Sequence, residues 1–221
     1  MTGAGTEVGK TYLTCGLLRR LRARGVACEA LKPVVSGFDE AGAAASDSAL
    51  LLAALGRELD AAALDRISPW RFRAPLSPDI AAAREGRTID VAQLVATCRA
   101  ATRAVPAGAT LLIEGVGGIH VPLDATQTVA DWIDALALPV VLVGGTYLGA
   151  LSHTLAALEV LRGRGRDVVA VVANASPEGA VTLEETVRVL ARFTHGVPVV
   201  GLARDAGPED PAFAALMACI T

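Results

Sequence analysis

Apolar positions in this chain fall into two alternating patterns, one at helical three- and four-residue spacing and one of short unbroken runs. Helical spacing predicts helices over 9–24, 46–55, 77–84, 91–103, 129–136, 149–162 and 183–192, with Gly25 placed as the C-terminal stop of the first. The unbroken runs predict strands over 110–114, 139–143, 168–173 and 197–202, and over 26–35 a strand that leads into a loop. None of these runs alternates cleanly, which is the pattern of a parallel sheet buried on both faces. Strands and helices in strict alternation predict an α/β fold, a doubly wound, mostly parallel sheet with helices on both faces. No repeat, linker or composition shift divides the chain, so a single domain over 1–221 is expected.

The start is irregular. A glycine loop such as the one at Gly3 normally follows a buried central strand, yet only Met1 and Thr2 precede it. Either the first strand is missing or truncated, or the loop reading is wrong; the first is the expectation taken here.

Composition narrows the classes. With 52% hydrophobic and 19% charged residues, the 221-residue chain can bury a sizeable core and is not disordered. A net charge of -3 and an isoelectric point near 5.6 give no broad basic field for nucleic acid. Mean hydropathy is +0.47, but no run of about 18 uncharged apolar residues suggests a membrane span. Met1 leads directly into glycine-rich sequence with no secretory pattern, and the four cysteines have no metal-ligand or redox spacing. Reduced thiols in a cytoplasmic protein are therefore expected. His120, His153 and His195 are too scattered to form a metal site, and Trp70 and Trp132 read as core anchors. The basic residues are sharper. Eighteen of the 20 are Arg, and the two lysines, Lys10 and Lys32, both stand in motif-like surroundings.

Gly3-Ala-Gly-Thr-Glu-Val-Gly9-Lys10-Thr11 opens the first helix. Backbone N–H groups of such a loop and the helix N-terminus cradle polyphosphate, the lysine neutralises the outer phosphates, and the hydroxyl suits Mg²⁺. The usual spacing places the first glycine where Ala4 stands, one residue after Gly3. Leu31-Lys-Pro-Val-Val-Ser36-Gly37 lies at the C-terminal end of a strand, where open α/β sheets hold ligands. Ile113-Glu-Gly-Val-Gly-Gly118 ends another strand in an acid and a glycine loop. Asp47 is either a charge at a helix N-terminus or a second carboxylate; Thr11, Asp47 and Glu114 together would make a hard oxygen set for Mg²⁺.

These three motifs, in this order and spacing, resemble the dethiobiotin synthetases, of the P-loop type. The resemblance extends to Arg73-Ala-Pro-Leu-Ser77-Pro78, Ala130-Asp-Trp132, Leu148-Gly149, His153 and Val172-Ala-Asn174, nearly the whole chain. It implies that Lys10 binds phosphate, that Lys32 is the active-site lysine, and that Thr11, Asp47 and Glu114 hold Mg²⁺. Thr6, Glu7, Val8 and Gly9, with Gly115, Val116, Gly117 and Asn174, would contact the nucleotide. Thr6 and Ser36 would contact substrate. It further implies a homodimer in which the substrate's carboxylate tail is held by the partner subunit around Gly149 and Ser152. The implied reaction is carboxylation of 7,8-diaminopelargonate with CO₂ or bicarbonate and closure of a cyclic urea at the expense of ATP. Ser152 stands where the family has Asn, Asp79 where it often has His, and Ala175 where Asp is common, and 202–204 lacks the usual Pro. Those departures put the tail contact and the base preference in question. Two alternatives remain open. A partition-type ATPase shares the loop but carries an extra Lys early in it, where Ala4 and Gly5 offer none; a corrin-acid amide ligase would need a further glutaminase domain.

Overall fold

The computed structural model describes residues 1–177 and 181–220. Its first half contains β1 (Thr2–Gly3), α1 (Lys10–Ala23), β2 (Cys28–Leu31), β3 (Val34–Ser36), α2 (Asp47–Ala54), α3 (Ala61–Ile67), β4 (Trp70–Phe72), α4 (Pro78–Arg84) and α5 (Val91–Ala104). The second contains β5 (Thr110–Ile113), α6 (Val129–Leu136), β6 (Val140–Gly144), α7 (Ala150–Gly163), β7 (Val168–Asn174), α8 (Leu183–Phe193), β8 (Val199–Leu202) and α9 (Pro211–Ile220).

The sheet is parallel, as the unbroken apolar runs require. One block has the order β1-β6-β7-β8, and β2 pairs with β5 in another. Met1 joins them: its amine donates to the Ile113 carbonyl at 2.8 Å, and its own carbonyl accepts from Gly115 N–H at 2.9 Å. The first strand is therefore present, with the two residues Thr2 and Gly3 opposite Leu142 and Val143. Below it a largely apolar cleft of about 480 Å³ separates the lower halves of β5 and β6.

Helices cover both faces. On one, Leu13, Leu17 and Leu21 of α1 pack with Phe213 and Leu216 of α9 against Val143 and Val172. On the other, Ala157, Leu158 and Leu161 of α7 meet Leu190 of α8 over Leu142 and Val171. A third cluster joins Leu94 of α5 and Trp132 of α6 to Leu31 and Phe72.

The expected strand over 26–35 is two strands in different sheets. Pro33 has no N–H to continue a ladder. At the break, Lys32 N–H donates to the Ile67 carbonyl, and the Pro33 carbonyl accepts from Trp70 N–H, each at 2.9 Å. The chain thereby turns out of the main sheet, and β3 pairs in parallel with β4. The elements α3, β4 and α9 lay outside the sequence expectation. Gly25 does stop α1, at φ 71°, with its N–H on the Arg22 carbonyl. Among the described residues no helix is long and apolar enough to cross a membrane.

Candidate active site

The glycine loop leaves β1 with Ala4 N–H bonded to the Val143 carbonyl at 2.8 Å, at the C-terminal edge of the parallel strands. Glu7 adopts φ 58°, and Gly9, the N-cap of α1, adopts φ 86°. Glycine is demanded at position 9 twice over. The left-handed conformation disfavours any Cβ, and one built there would stand 1.9 Å from Asn174 Nδ2. That same Nδ2 donates to the Val8 carbonyl at 3.0 Å, so the end of β7 holds the loop's shape.

Lys10 opens α1 and is buried, its Nζ donating to the Gly5 carbonyl at 2.9 Å. Burial lowers its pKa to about 8; Glu114 pulls it upward and Lys32 adds to the lowering. Next along the helix, Thr11 Oγ1 donates to Glu114 Oε1 at 2.6 Å. Glu114 follows β5 and is 1% exposed, so its partners must come from the protein. Lys32, at the break between β2 and β3, supplies them: its Nζ donates to Glu114 Oε1 at 2.8 Å and to Thr11 Oγ1 at 3.1 Å, and it also bonds Asp47 Oδ2. Burial alone would lower the Lys32 pKa, but Glu114 and Asp47 outweigh it and hold the ammonium above its ordinary value.

Asp47 stands at the helix N-terminus, and its side chain also faces the cleft. It is the first residue of α2, behind the N-cap Ser46, whose Oγ accepts from Ala49 N–H at 3.2 Å, and its side chain reaches Lys32. Two carboxylates and a hydroxyl thus converge, and Glu114 Oε2 is buried with no hydrogen-bond partner among the described residues. An unpaired buried carboxylate oxygen beside two other hard donors fits a divalent cation.

The side chains of Lys10, Thr11, Lys32 and Asp47 line one cleft of about 700 Å³, together with Thr6, Glu7, Gly9, Ser36, Gly115, Val116 and Gly117, and Glu114 lies buried behind Thr11 and Lys32. Ser36 Oγ is buried there without a hydrogen-bond partner among the described residues. Asn174 stands behind the glycine loop, and its Oδ1 too has no hydrogen-bond partner among the described residues. Gly149 and Ser152 are not in this cleft; they lie exposed at the start of α7, beside Leu148, which is 84% exposed. Three features escaped assignment from sequence. Pro75–Pro78 walls the cleft opposite the glycine loop, and its signal was the matching Ala-Pro-Leu-Ser-Pro motif, to which no role was attached. Tyr12 also lines the cleft and donates its hydroxyl to the Ala206 carbonyl at 2.7 Å, fixing the loop after β8. Thr146 and Ser176 exchange hydrogen bonds of 3.0 Å between the loops after β6 and β7. A lone Tyr or Ser gives no sequence signal for such partners.

The family model described as an AAA domain matches residues 1–203. The chain is 49% identical over 210 residues to the ATP-dependent dethiobiotin synthetase BioD of Methylobacterium nodulans, covering 94% of this chain and 93% of that one. It is likewise 49% identical to the protein of the same name in Acidiphilium cryptum, covering 90% and 88%. Among solved structures, the MinD cell division protein of Aquifex aeolicus superposes with a TM-score of 0.50 at 14% identity, covering 90% of this chain and 79% of that one. A ParA family ATPase from Chlorobium tepidum gives 0.50 at 14%, covering 97% and 88%; at that identity both comparisons bear on the fold alone. The sequence relatives and the cleft agree, and the chain belongs to the ATP-dependent dethiobiotin synthetase family.

Proposed function

We propose that this chain closes the cyclic urea of dethiobiotin from 7,8-diaminopelargonate, CO₂ and ATP, as a ligase of biotin biosynthesis. The observation that carries the reading is the convergence of Lys10, Lys32, Thr11 and Asp47 in one cleft, with Glu114 buried behind them and bonded to Thr11 and Lys32. One substrate amine adds to CO₂, forming a C–N bond and losing a proton, to give a carbamate. A carbamate oxygen attacks the γ-phosphorus of ATP, and the bond to the β-phosphate oxygen breaks to release ADP. The second amine then attacks the carbonyl carbon of the mixed anhydride; phosphate leaves, a second proton is lost, and the ring closes.

Phosphoryl transfer of this kind depends on positioning and charge neutralisation rather than on a covalent enzyme intermediate. The backbone of Thr6–Gly9 and the N-terminus of α1 hold the phosphates, and Lys10 leaves the Gly5 carbonyl for the outer phosphate oxygens. Lys32 sits across the cleft, placed for the carbamate and γ-phosphate. Ser36, whose hydroxyl has no partner among the described residues, orients the diamine. Thr11, Asp47 and Glu114 would hold Mg²⁺, which when bound neutralises phosphate charge. Gly115, Val116, Gly117 and Asn174 complete the nucleotide's surroundings. Gly149 and Ser152 lie outside the cleft, consistent with a homodimer in which they receive the carboxylate tail bound by the partner subunit. One domain in the cytoplasm carries the whole reaction, with no nucleic-acid or membrane partner.

The test is ADP release by the purified chain with Mg·ATP. ADP should form with diamine and bicarbonate together and not with either alone. Hydrolysis indifferent to the diamine would replace this reading with a partition-type ATPase.

A further inference from the structure

The ammonium of Lys32 is bonded to Thr11 Oγ1, Asp47 Oδ2 and Glu114 Oε1, the three side chains assigned to the divalent cation. An ammonium has three N–H donors, so this set saturates it. Nothing about a surface lysine demands such an arrangement. Lys32 is 6% exposed, and Glu114 is buried deeper still. Lys10 is parked in the same manner, on a carbonyl of its own loop. Lys10 and Lys32 are thus both bonded to protein oxygens.

We propose that Lys32 is an internal stand-in for the divalent cation: its ammonium occupies the metal's ligands until metal and nucleotide arrive together and move it to the phosphates. The inference rests on the assignment of Thr11, Asp47 and Glu114 to the metal under the proposed function. Its physical basis is exclusion. A small dication needs close oxygen contacts of about 2.0–2.1 Å, and one oxygen of each of its three side chains is already bonded to Nζ, leaving Glu114 Oε2 on a carboxylate that the ammonium already holds. Both cations cannot share these three atoms without strong like-charge repulsion in a poorly solvated site. Free metal must therefore displace Lys32 with nothing to receive it. A polyphosphate supplies that receptor, so the exchange becomes favourable only with nucleotide. The consequence is an order: the bare protein binds divalent cations weakly, and the nucleotide brings the metal in. A second consequence is structural. The buried Glu114 carboxylate always has a cation beside it, so the ligand-free fold never holds that charge alone, a state costly in a buried site.

The experiment titrates nucleotide-free protein with Mn²⁺ and follows the free-ion signal by electron paramagnetic resonance. Wild type should bind Mn²⁺ weakly. Lys32→Met should bind it tighter by about tenfold or more, because the competing cation is gone and both carboxylates remain. The double variant Lys32→Met with Glu114→Gln should lose that gain, which locates the ion. Thermal unfolding gives an independent readout that does not need a stable ligand-free variant. Chelator should lower the midpoint of Lys32→Met below wild type, and Mg²⁺ alone should restore it while leaving wild type nearly unmoved. Unchanged or weaker Mn²⁺ binding by Lys32→Met, or no restoration by Mg²⁺, overturns the proposal. Neither readout uses the diamine or turnover, so a failed reaction assay and a failed cation exchange are separate results.

Discussion

Position 10 demands an ammonium that can pass a tight glycine loop, and position 32 demands one that reaches three oxygens at once. Arginine keeps the charge at either place but spreads it over a planar fork. Lys10→Arg and Lys32→Arg should each lower turnover by about 10²–10³-fold, the usual cost of one mispositioned donor, while circular dichroism stays native. Near-normal turnover by a folded Lys32→Arg variant would remove Lys32 from the reacting centre. Gly9→Ala should be as damaging for a different reason. Its Cβ collides with the Asn174 amide and adds left-handed strain of about 1–2 kcal/mol, so nucleotide affinity measured by calorimetry should fall together with the melting temperature. The lysines were legible in the sequence because an Arg-rich chain kept Lys in two places only. Tyr12 and the Thr146–Ser176 pair were not, since their partners are backbone or side-chain groups distant in sequence.

Among the elements, α6 offers the cleanest titration. Thr128 caps it, and Asp131 Oδ2 accepts from both the Thr128 hydroxyl and the Thr128 N–H at 2.7 Å, with Arg164 on the other oxygen. The Thr128 hydroxyl first, then its N–H and Arg164, lower the Asp131 pKa from 3.8 to about 2. A depressed carboxylate stabilises the fold fully above its unfolded pKa and loses that contribution as pH falls through the folded value. Asp131→Asn should therefore cost about 1 kcal/mol in urea unfolding at neutral pH, the scale of a helix cap at a half-exposed position. The gap to wild type should narrow from pH 3.8 down towards 2; a gap constant with pH would mean that the charge of Asp131 contributes nothing. Long amphipathic helices and unbroken strands were readable at this scale. The split at Pro33, the two-residue β1 and the short α3 and β4 were not, because segments so short carry no period and are set by pairing across the sheet.

Across the whole molecule, the sheet brings loops after β1, β2, β5 and β7 to one edge, which is why motifs far apart in sequence share a cleft. The family resemblance assigns the nucleotide base to the loops after β7 and β8, where Ala175 and exposed Ala203 and Arg204 depart from the family's usual residues. Turnover with ATP, CTP and GTP at sub-saturating concentration should differ by less than about a hundredfold, or about 2.8 kcal/mol. A larger preference for ATP would show that other groups read the base. The cleft itself was legible from three motifs; the exposed position of Gly149 and Ser152, outside it, was not. The most direct test of the ring-closing assignment is isotopic. The chain is incubated with Mg·ATP, 7,8-diaminopelargonate and ¹³C-bicarbonate, and the organic product is identified by mass spectrometry and carbon NMR. The account predicts dethiobiotin with ¹³C at the urea carbonyl, formed in equal amount to ADP. ADP formed without labelled cyclic urea would contradict it.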